Sequence, residues 1–195
     1  MIYLLRKIKG KIFSLIIGMK PNVKCNGNLI VKKWPIIDVR KGANLEIGKN
    51  VTIDSDNYVY GYGLYTKTKL QAKNEGASLI IGNNTIIHGS CIHATELIKI
   101  GKNCNIAGNC QIFDCIGHNI YDIEDHRPFV LDTKKVIIED NVWIGLNSII
   151  LPGSMIRKGS VIAAGSVVRG EFDQNSLIGG NPAVFIKSLE IKDIK

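Results

Sequence analysis

Between Ile138 and Val168 an aliphatic residue returns at every sixth position: Ile138, Ile144, Ile150, Ile156, Ile162 and Val168. Four residues after each of the first five stands a small or β-branched residue, Val142, Ser148, Ser154, Ser160 and Ser166. An amphipathic helix repeats at about 3.6 and a half-buried strand at 2, so neither produces this spacing. A short strand plus a turn does. Three such units close a triangular coil of 18 residues, and each coil covers the core of the next. The period predicts a mainly β protein, a left-handed parallel β-helix, with the aliphatic and the small residue of each hexad turned inward.

The same signal recurs at Ile47, Val51 and Ile53, at Ile81 and Ile87, and at Ile100, Ile106 and Ile112. The step from Ile87 to Ile100 is thirteen rather than twelve, which predicts a bulge near His93 or Thr95. Two segments break the period. Residues 57–78 are rich in tyrosine, glycine and lysine and read as a loop or an irregular coil; Tyr58, Tyr60, Tyr62 and Tyr65 there either stack on a sugar or brace the loop. Residues 113–135, FDCIGHNIYDIEDHRPFVLDTKK, form a polar excursion holding two of the four histidines. Core packing gives no reason for such an excursion, whereas sites are commonly built on loops held by rigid scaffolds. The β-helix is expected over 25–178. A basic segment precedes it over 1–24, and a cap follows over 179–195, in which Pro182 opens a short helix.

Hydrophobic residues make up 45% of the 195 and aromatics only 7%, which calls for an aliphatic core of many similar units within one domain. Five cysteines cannot all pair with one another, and Cys91, Cys104 and Cys110 fall at inward positions, so they read as reduced core thiols of a cytoplasmic protein. No paired CxxC arms suggest a metal. The formal charge is +8, but no nucleic-acid-binding pattern accompanies it. The first 24 residues carry six basic side chains and no acidic one. Leu4, Leu5, Ile8, Ile12, Leu15 and Ile16 form one face of a helix there, with Lys7 and Lys11 opposite. It is too short to span a bilayer. Either residues 1–20 lie at the inner face of a membrane, or the helix packs on its own domain or a neighbouring subunit.

Trp143 and Val161 stack on one outward face, Ile149 and Val167 on another, and Met155 stands on the third. Apolar outward residues on a three-sided prism predict subunit contact and a closed homotrimer.

The stretches IEDNVWIGLNSIILPG, KGSVIAAGSVV and NSLIGGNPAVFIK resemble the hexapeptide-repeat acyltransferases, specifically the sugar and capsular-polysaccharide O-acetyltransferases, over about residues 40–190. The resemblance implies a trimer, acetyl-coenzyme A (acetyl-CoA) as the donor bound between adjacent subunits, and a sugar or surface-glycan acceptor. It places the general base on His118, within QIFDCIGHNIYD, with Asp114 available to orient the imidazole. His126 is the rival base or a substrate contact. The chemistry agrees: a sugar hydroxyl does not ionise near neutrality, and a neutral imidazole takes its proton as it attacks the thioester. No Gly-x-Ser-x-Gly elbow offers an enzyme nucleophile. For the cofactor the resemblance points to Trp143, Gly145, Ala163 and Ser166, with Lys187, Lys158 and Arg157 as cations for the phosphates. Trp143 reads equally as a pantetheine contact or a trimer contact. Asn105 and His88 are either acceptor contacts or turn residues. N-acetylation of an amino- or nucleotide-sugar and a non-catalytic assembly role are the alternative functions. Carbonic anhydrases of this fold place their five-residue histidine pair late in the site, whereas His88 and His93 come first.

Overall fold

The chain winds as the left-handed parallel β-helix that the six-residue period predicts. The computed structural model describes the backbone of residues 2–117 and 132–190, and the side chains from residue 10 onward together with Ile8. Three parallel sheets form the sides of a prism. The first face stacks Val23–Cys25, Asn44–Ile47, Ser78–Ile81, Leu97–Ile100, Val136–Ile138, Met155–Ile156 and Glu171–Phe172. The second stacks Leu29–Lys32, Val51–Asp54, Ile86–His88, Asn105–Ile106, Trp143–Ile144, Val161–Ile162 and Ser176–Gly180. The third stacks Ile36–Val39, Lys69–Ala72, Cys91–Ala94, Gln111–Phe113, Ile149–Ile150 and Val167–Val168.

Register explains the core. On the first face Ile47, Ile81, Ile100, Ile138 and Ile156 stand directly over one another, and on the second Ile53, Ile87, Ile106, Ile144, Ile162 and Ile178 do the same. All of these are buried, as are Val142, Ser148, Ser154, Ser160 and Ser166. An inward hydroxyl is tolerated because each finds a carbonyl at its turn: Ser148 donates to Gly145 at 2.8 Å and Ser154 to Leu151 at 2.6 Å. At the corner between the first and second faces, Asn50, Asn84, Asn103 and Asn141 adopt positive φ of 55–60° and link side chain to side chain up the prism. Asparagine is suited to that left-handed corner, which explains the recurring spacing from an inward isoleucine to an asparagine three residues on.

Four details depart from the sequence reading. The break at 57–78 is shorter: Lys69–Ala72 is a strand of the third face and Ser78 begins another, so the irregular stretch is 55–68. The extra residue near Thr95 is a compromise between two steps. Ile87 to Ile92 is only five, and the coil recovers the difference in the Thr95–Glu96 turn. That short step moves Ser90 into the inward position and leaves Cys91 facing outward, half-buried between Lys69 and Gln111, while Cys104 and Cys110 are core thiols as expected. The C-terminal cap is a strand rather than a helix. Ala183–Ser188 turns back antiparallel onto Ser176–Gly180. The β-prone run Val184-Phe185-Ile186 there finds the unpaired edge of the last coil, which needs hydrogen-bond partners more than a helix would supply them.

At the other end, the helix Ile2–Gly18 covers the first coil. Ile17 is completely buried, Phe13 meets Trp34 edge to face at 4.8 Å, and the Ser14 hydroxyl reaches the Leu29 carbonyl at 2.7 Å. A Cβ on Gly10 would stand 2.5 Å from the Val31 carbonyl oxygen, so glycine lets the helix lie against the coil backbone. Packing on its own domain is therefore realised by one side of the helix.

Candidate functional site

The second face carries two outward rows. In the first, Thr52, Ile86, Asn105, Trp143, Val161 and Leu177 are successive ladder partners. Trp143 is 53% exposed, as its outward assignment requires. The second row is made of the residue following each inward isoleucine. It begins at Asp54 and His88, then becomes a shelf of small residues, Ala107, Gly145, Ala163 and Gly179. Strand spacing of about 4.8 Å per coil makes the run from His88 to Gly179 roughly 19 Å long. Gly145 is required by close approach: a Cβ there would meet the Ala164 nitrogen at 2.6 Å and the Ile162 oxygen at 2.8 Å.

One end of the shelf is polar and enclosed. Asp54 is buried; its Oδ1 accepts the Asp56 N–H at 2.9 Å, while its Oδ2 lies 3.2 Å from Lys32 Nζ and 3.4 Å from His88 Nδ1. Burial alone would push the Asp54 carboxyl up, but His88, the Asp56 N–H and the Lys32 ammonium together hold it below the ordinary carboxylate value. At 3.4 Å the histidine contact is longer than a well-formed hydrogen bond, and among the described residues Nδ1 has no aligned one. His88 stacks on Tyr60 with centroids 4.6 Å apart, and the Tyr60 hydroxyl accepts the Gly108 N–H at 2.9 Å. Burial raises the Tyr60 phenol above its ordinary value, which keeps it neutral. Asn105, one coil further along, buries its Oδ1 without a partner among the described residues. Two buried polar atoms that lack an aligned hydrogen bond among the described residues thus sit in neighbouring coils of one face, where desolvated groups ordinarily find partners. The 55–68 loop is pinned alongside by Asn109, which accepts the Tyr65 N–H at 2.8 Å and donates to Gly63 at 3.1 Å, leaving Tyr62 and Tyr65 exposed nearby.

At the other end, the C-terminal hairpin covers Gly179, and Lys187 on its returning strand is exposed. Lys158 is exposed as well, whereas Arg157 reaches Glu171 at 3.5 Å. Ser166 does not line the shelf. It is fully buried, donating to Ala163 at 2.6 Å and accepting the Gly180 N–H at 3.3 Å, because its place in the hexad is the inward one.

His118 and His126 lie outside the described residues. The roots of their excursion do not. Cys115 and Thr133 form an antiparallel bridge at the corner between the third and first faces, the corner opposite the second face. Asp114 beneath them is completely buried and its carboxylate accepts three backbone N–H groups, from Thr95 at 2.7 Å and from Glu96 and Leu97 at 2.8 Å. The task the structure gives it is to cap the 95–97 turn. Glu96 in turn accepts the Thr133 hydroxyl at 2.9 Å. His88 and His93 project from different faces, so the pair does not converge.

Asp54 and Lys32 were not legible as site residues, and Tyr60 was legible only as one of four tyrosines that either stack on a sugar or brace the loop. The polar run Asp54-Ser55-Asp56 directly after an inward isoleucine was the available signal, because a hexad corner needs no buried carboxylates. Ala107 and Gly179 follow from asking which outward neighbours share the row of Gly145.

A family profile described as the hexapeptide repeat of succinyl-transferase matches residues 135–169. The lipopolysaccharide-biosynthesis protein WbbJ of Escherichia coli K12, named for O-acetyl transfer, is 32% identical over 145 residues, 68% of this chain and 69% of that protein. A Dictyostelium discoideum protein named for acetyl transfer is 45% identical over 95 residues, 49% of each chain, so this chain spans about half the length of that relative. A hexapeptide-repeat acetyltransferase from Vibrio cholerae, solved with acetyl-CoA, superposes with a TM-score of 0.58 at 22% identity, covering 96% of this chain and 88% of that one. At that identity the superposition speaks for the fold.

Proposed function

The chain belongs to the hexapeptide-repeat acetyltransferase family, and from that premise we propose that it moves the acetyl group of acetyl-CoA to a sugar or surface-glycan hydroxyl. The observation that carries this reading is the shelf on the second face. Its length suits an extended chain rather than a compact ligand. Its low floor at Gly145 and Ala163 lets a thin pantetheine arm lie near the backbone beside Trp143, with the phosphates toward Lys187 and the thioester toward the enclosed polar end. The acceptor then meets His88, Asn105 and the exposed tyrosines, groups able to bond and stack on a sugar.

His118 is the base in this reading. It takes the acceptor proton as the hydroxyl oxygen attacks the thioester carbonyl; the tetrahedral intermediate collapses and coenzyme A leaves as the thiol. In this reading the base and the shelf meet between copies of a homotrimer; the rooting of the excursion at the Cys115–Thr133 bridge, at the corner opposite the shelf, supports it.

The test is release of free coenzyme A thiol from acetyl-CoA across a panel of sugars and amino-sugars, with His118→Ala beside the wild type and sedimentation to confirm that both assemble alike. Acceptor-dependent release that drops at least ~100-fold in the variant is expected. Full activity in the variant would move the base elsewhere, and turnover only with amino-sugars would make this an N-acetyltransferase.

A further inference from the structure

The first 37 residues carry as much net charge as the whole chain. Residues 1–37 contain eight lysines and arginines and no acidic residue, leaving 17 basic and 17 acidic residues in the remainder, against an overall +8. The cap helix Ile2–Gly18 lies within that segment and covers the first coil. It has two apolar sides. Phe13, Ser14 and Ile17 with Gly10 dock on the first coil; Ile8, Ile12, Leu15 and Ile16, with Met19 just beyond, point away from it. On a 3.6-residue turn these five fall within one stripe of about 100°. Leu15 is 66% exposed and Met19 76%, and Ile30 of the first coil is exposed close by.

A helix needs one apolar side to cap a β-helix; the second has no task among the described residues. Because the first is locked by Ile17 and the Ser14–Leu29 contact, the second is held outward as a rigid surface. We infer that this stripe docks the protein on an anionic lipid bilayer, with the helix lying in the plane of the headgroups. Charge selects that occupant. An apolar stripe alone fits any greasy partner, but a stripe within a segment of eight basic residues and no acidic one, of which Lys24 and Lys32 pair with Glu46 and Asp54, matches a surface of acidic headgroups, to which basic amphipathic helices are drawn by burial and Coulomb attraction together. No described helix is long and apolar enough to cross a membrane, so contact stays at the interface. The inference stands whether or not the transferase reading does. With that reading, it brings the second face within reach of a glycan held at a lipid surface.

The experiment is co-sedimentation of the full chain with vesicles of phosphatidylglycerol and phosphatidylcholine, and with phosphatidylcholine alone, at low and high salt. The wild type is expected to bind the mixed vesicles, to release at high salt, and to bind pure phosphatidylcholine at least ~10-fold more weakly. Leu15→Glu and Ile12→Glu change exposed positions and should weaken binding at least ~10-fold; Lys11→Glu, one turn before Leu15, should weaken it and reduce its salt dependence. Circular dichroism and unchanged thermal unfolding establish that each variant is folded. Failure to bind anionic vesicles, or folded stripe variants that bind as wild type does, overturns the inference. So does a wild type that stays off vesicles but self-associates through the helix, with Leu15→Glu abolishing the association; that result would make a second copy the occupant.

Discussion

His88 Nδ1 and Asp54 Oδ2 stand 3.4 Å apart, in adjacent coils and in the same outward row of the second face. The carboxylate is buried, and its pKa is held below the ordinary value because His88, the Asp56 N–H and Lys32 outweigh the effect of burial. A depressed native pKa contributes stability that is present above the unfolded value and lost as pH falls through the native one. Asp54→Asn should therefore lower the unfolding free energy at pH 7 by about 1–3 kcal/mol. The difference should shrink below about pH 4, where the unfolded wild type has already taken up its proton. Urea unfolding at both pH values measures it. A gap of equal size in acid would assign the loss to packing.

Gly145 meets the next coil so closely that a methyl group there strikes Ala164 nitrogen and Ile162 oxygen, both backbone. Neither can rotate aside as a side chain can. Gly145→Ala is expected to destabilise by about 1–3 kcal/mol and to lift the floor of the shelf. In the proposed reaction KM for acetyl-CoA rises while the acceptor KM changes little. Steady-state kinetics with each substrate varied separately distinguishes this from general damage, in which both would move.

Asp114 offers a sharper division between two roles. As an orienter of His118 it would affect turnover and leave stability alone. As the cap of the 95–97 turn, with three backbone N–H groups on its carboxylate, it holds the root of the excursion. Asp114→Asn keeps one oxygen and replaces the other by a donor that faces N–H groups. The expected result is a loss of about 2–4 kcal/mol in unfolding free energy, the scale for stranding buried polar groups. Wild-type stability with depressed kcat would restore the orienting role.

The scaffold was readable because its constraint is local and repeated: one inward position per hexad, tested again in every coil from Ile47 to Ile162. What escaped depended on how distant segments meet. Cys91 changed sides because a five-residue step at Ile87–Ile92 shifted the phase, and no single hexad reveals such a slip. The C-terminal strand was missed since Pro182 signals a helix start as readily as a reversal, and only the bare edge at Ser176–Gly180 decides between them. Of the candidate site, the outward place of Trp143 was legible from phase, whereas Gly145 and Ala163 were named through the family resemblance. Asp54 was not legible, and Tyr60 only as a loop tyrosine, for both meet His88, more than 25 residues further along the chain. Ser166, also named through the resemblance, is fully buried at the inward position of its hexad.

The same phase argument sorts the thiols. Cys104 is 1% exposed, and burial pushes its pKa up to about 11; burial also raises Cys110 and, from its half-buried outward position, Cys91. The thiolate is the reactive form, so at pH 8 only about one Cys104 in a thousand is ionised, and that one is walled off by the next coil. Cys91 stands between Lys69 and Gln111 on the outer surface of the third face, where reagent reaches it without opening the core. Native protein treated with iodoacetamide at pH 8 and digested should show Cys91 modified at least ~10-fold faster than Cys104 and Cys110, whose labelling should wait on unfolding and accelerate sharply in urea. Equal protection of all three in the native state, with the chain shown to be monomeric, would return Cys91 to the core.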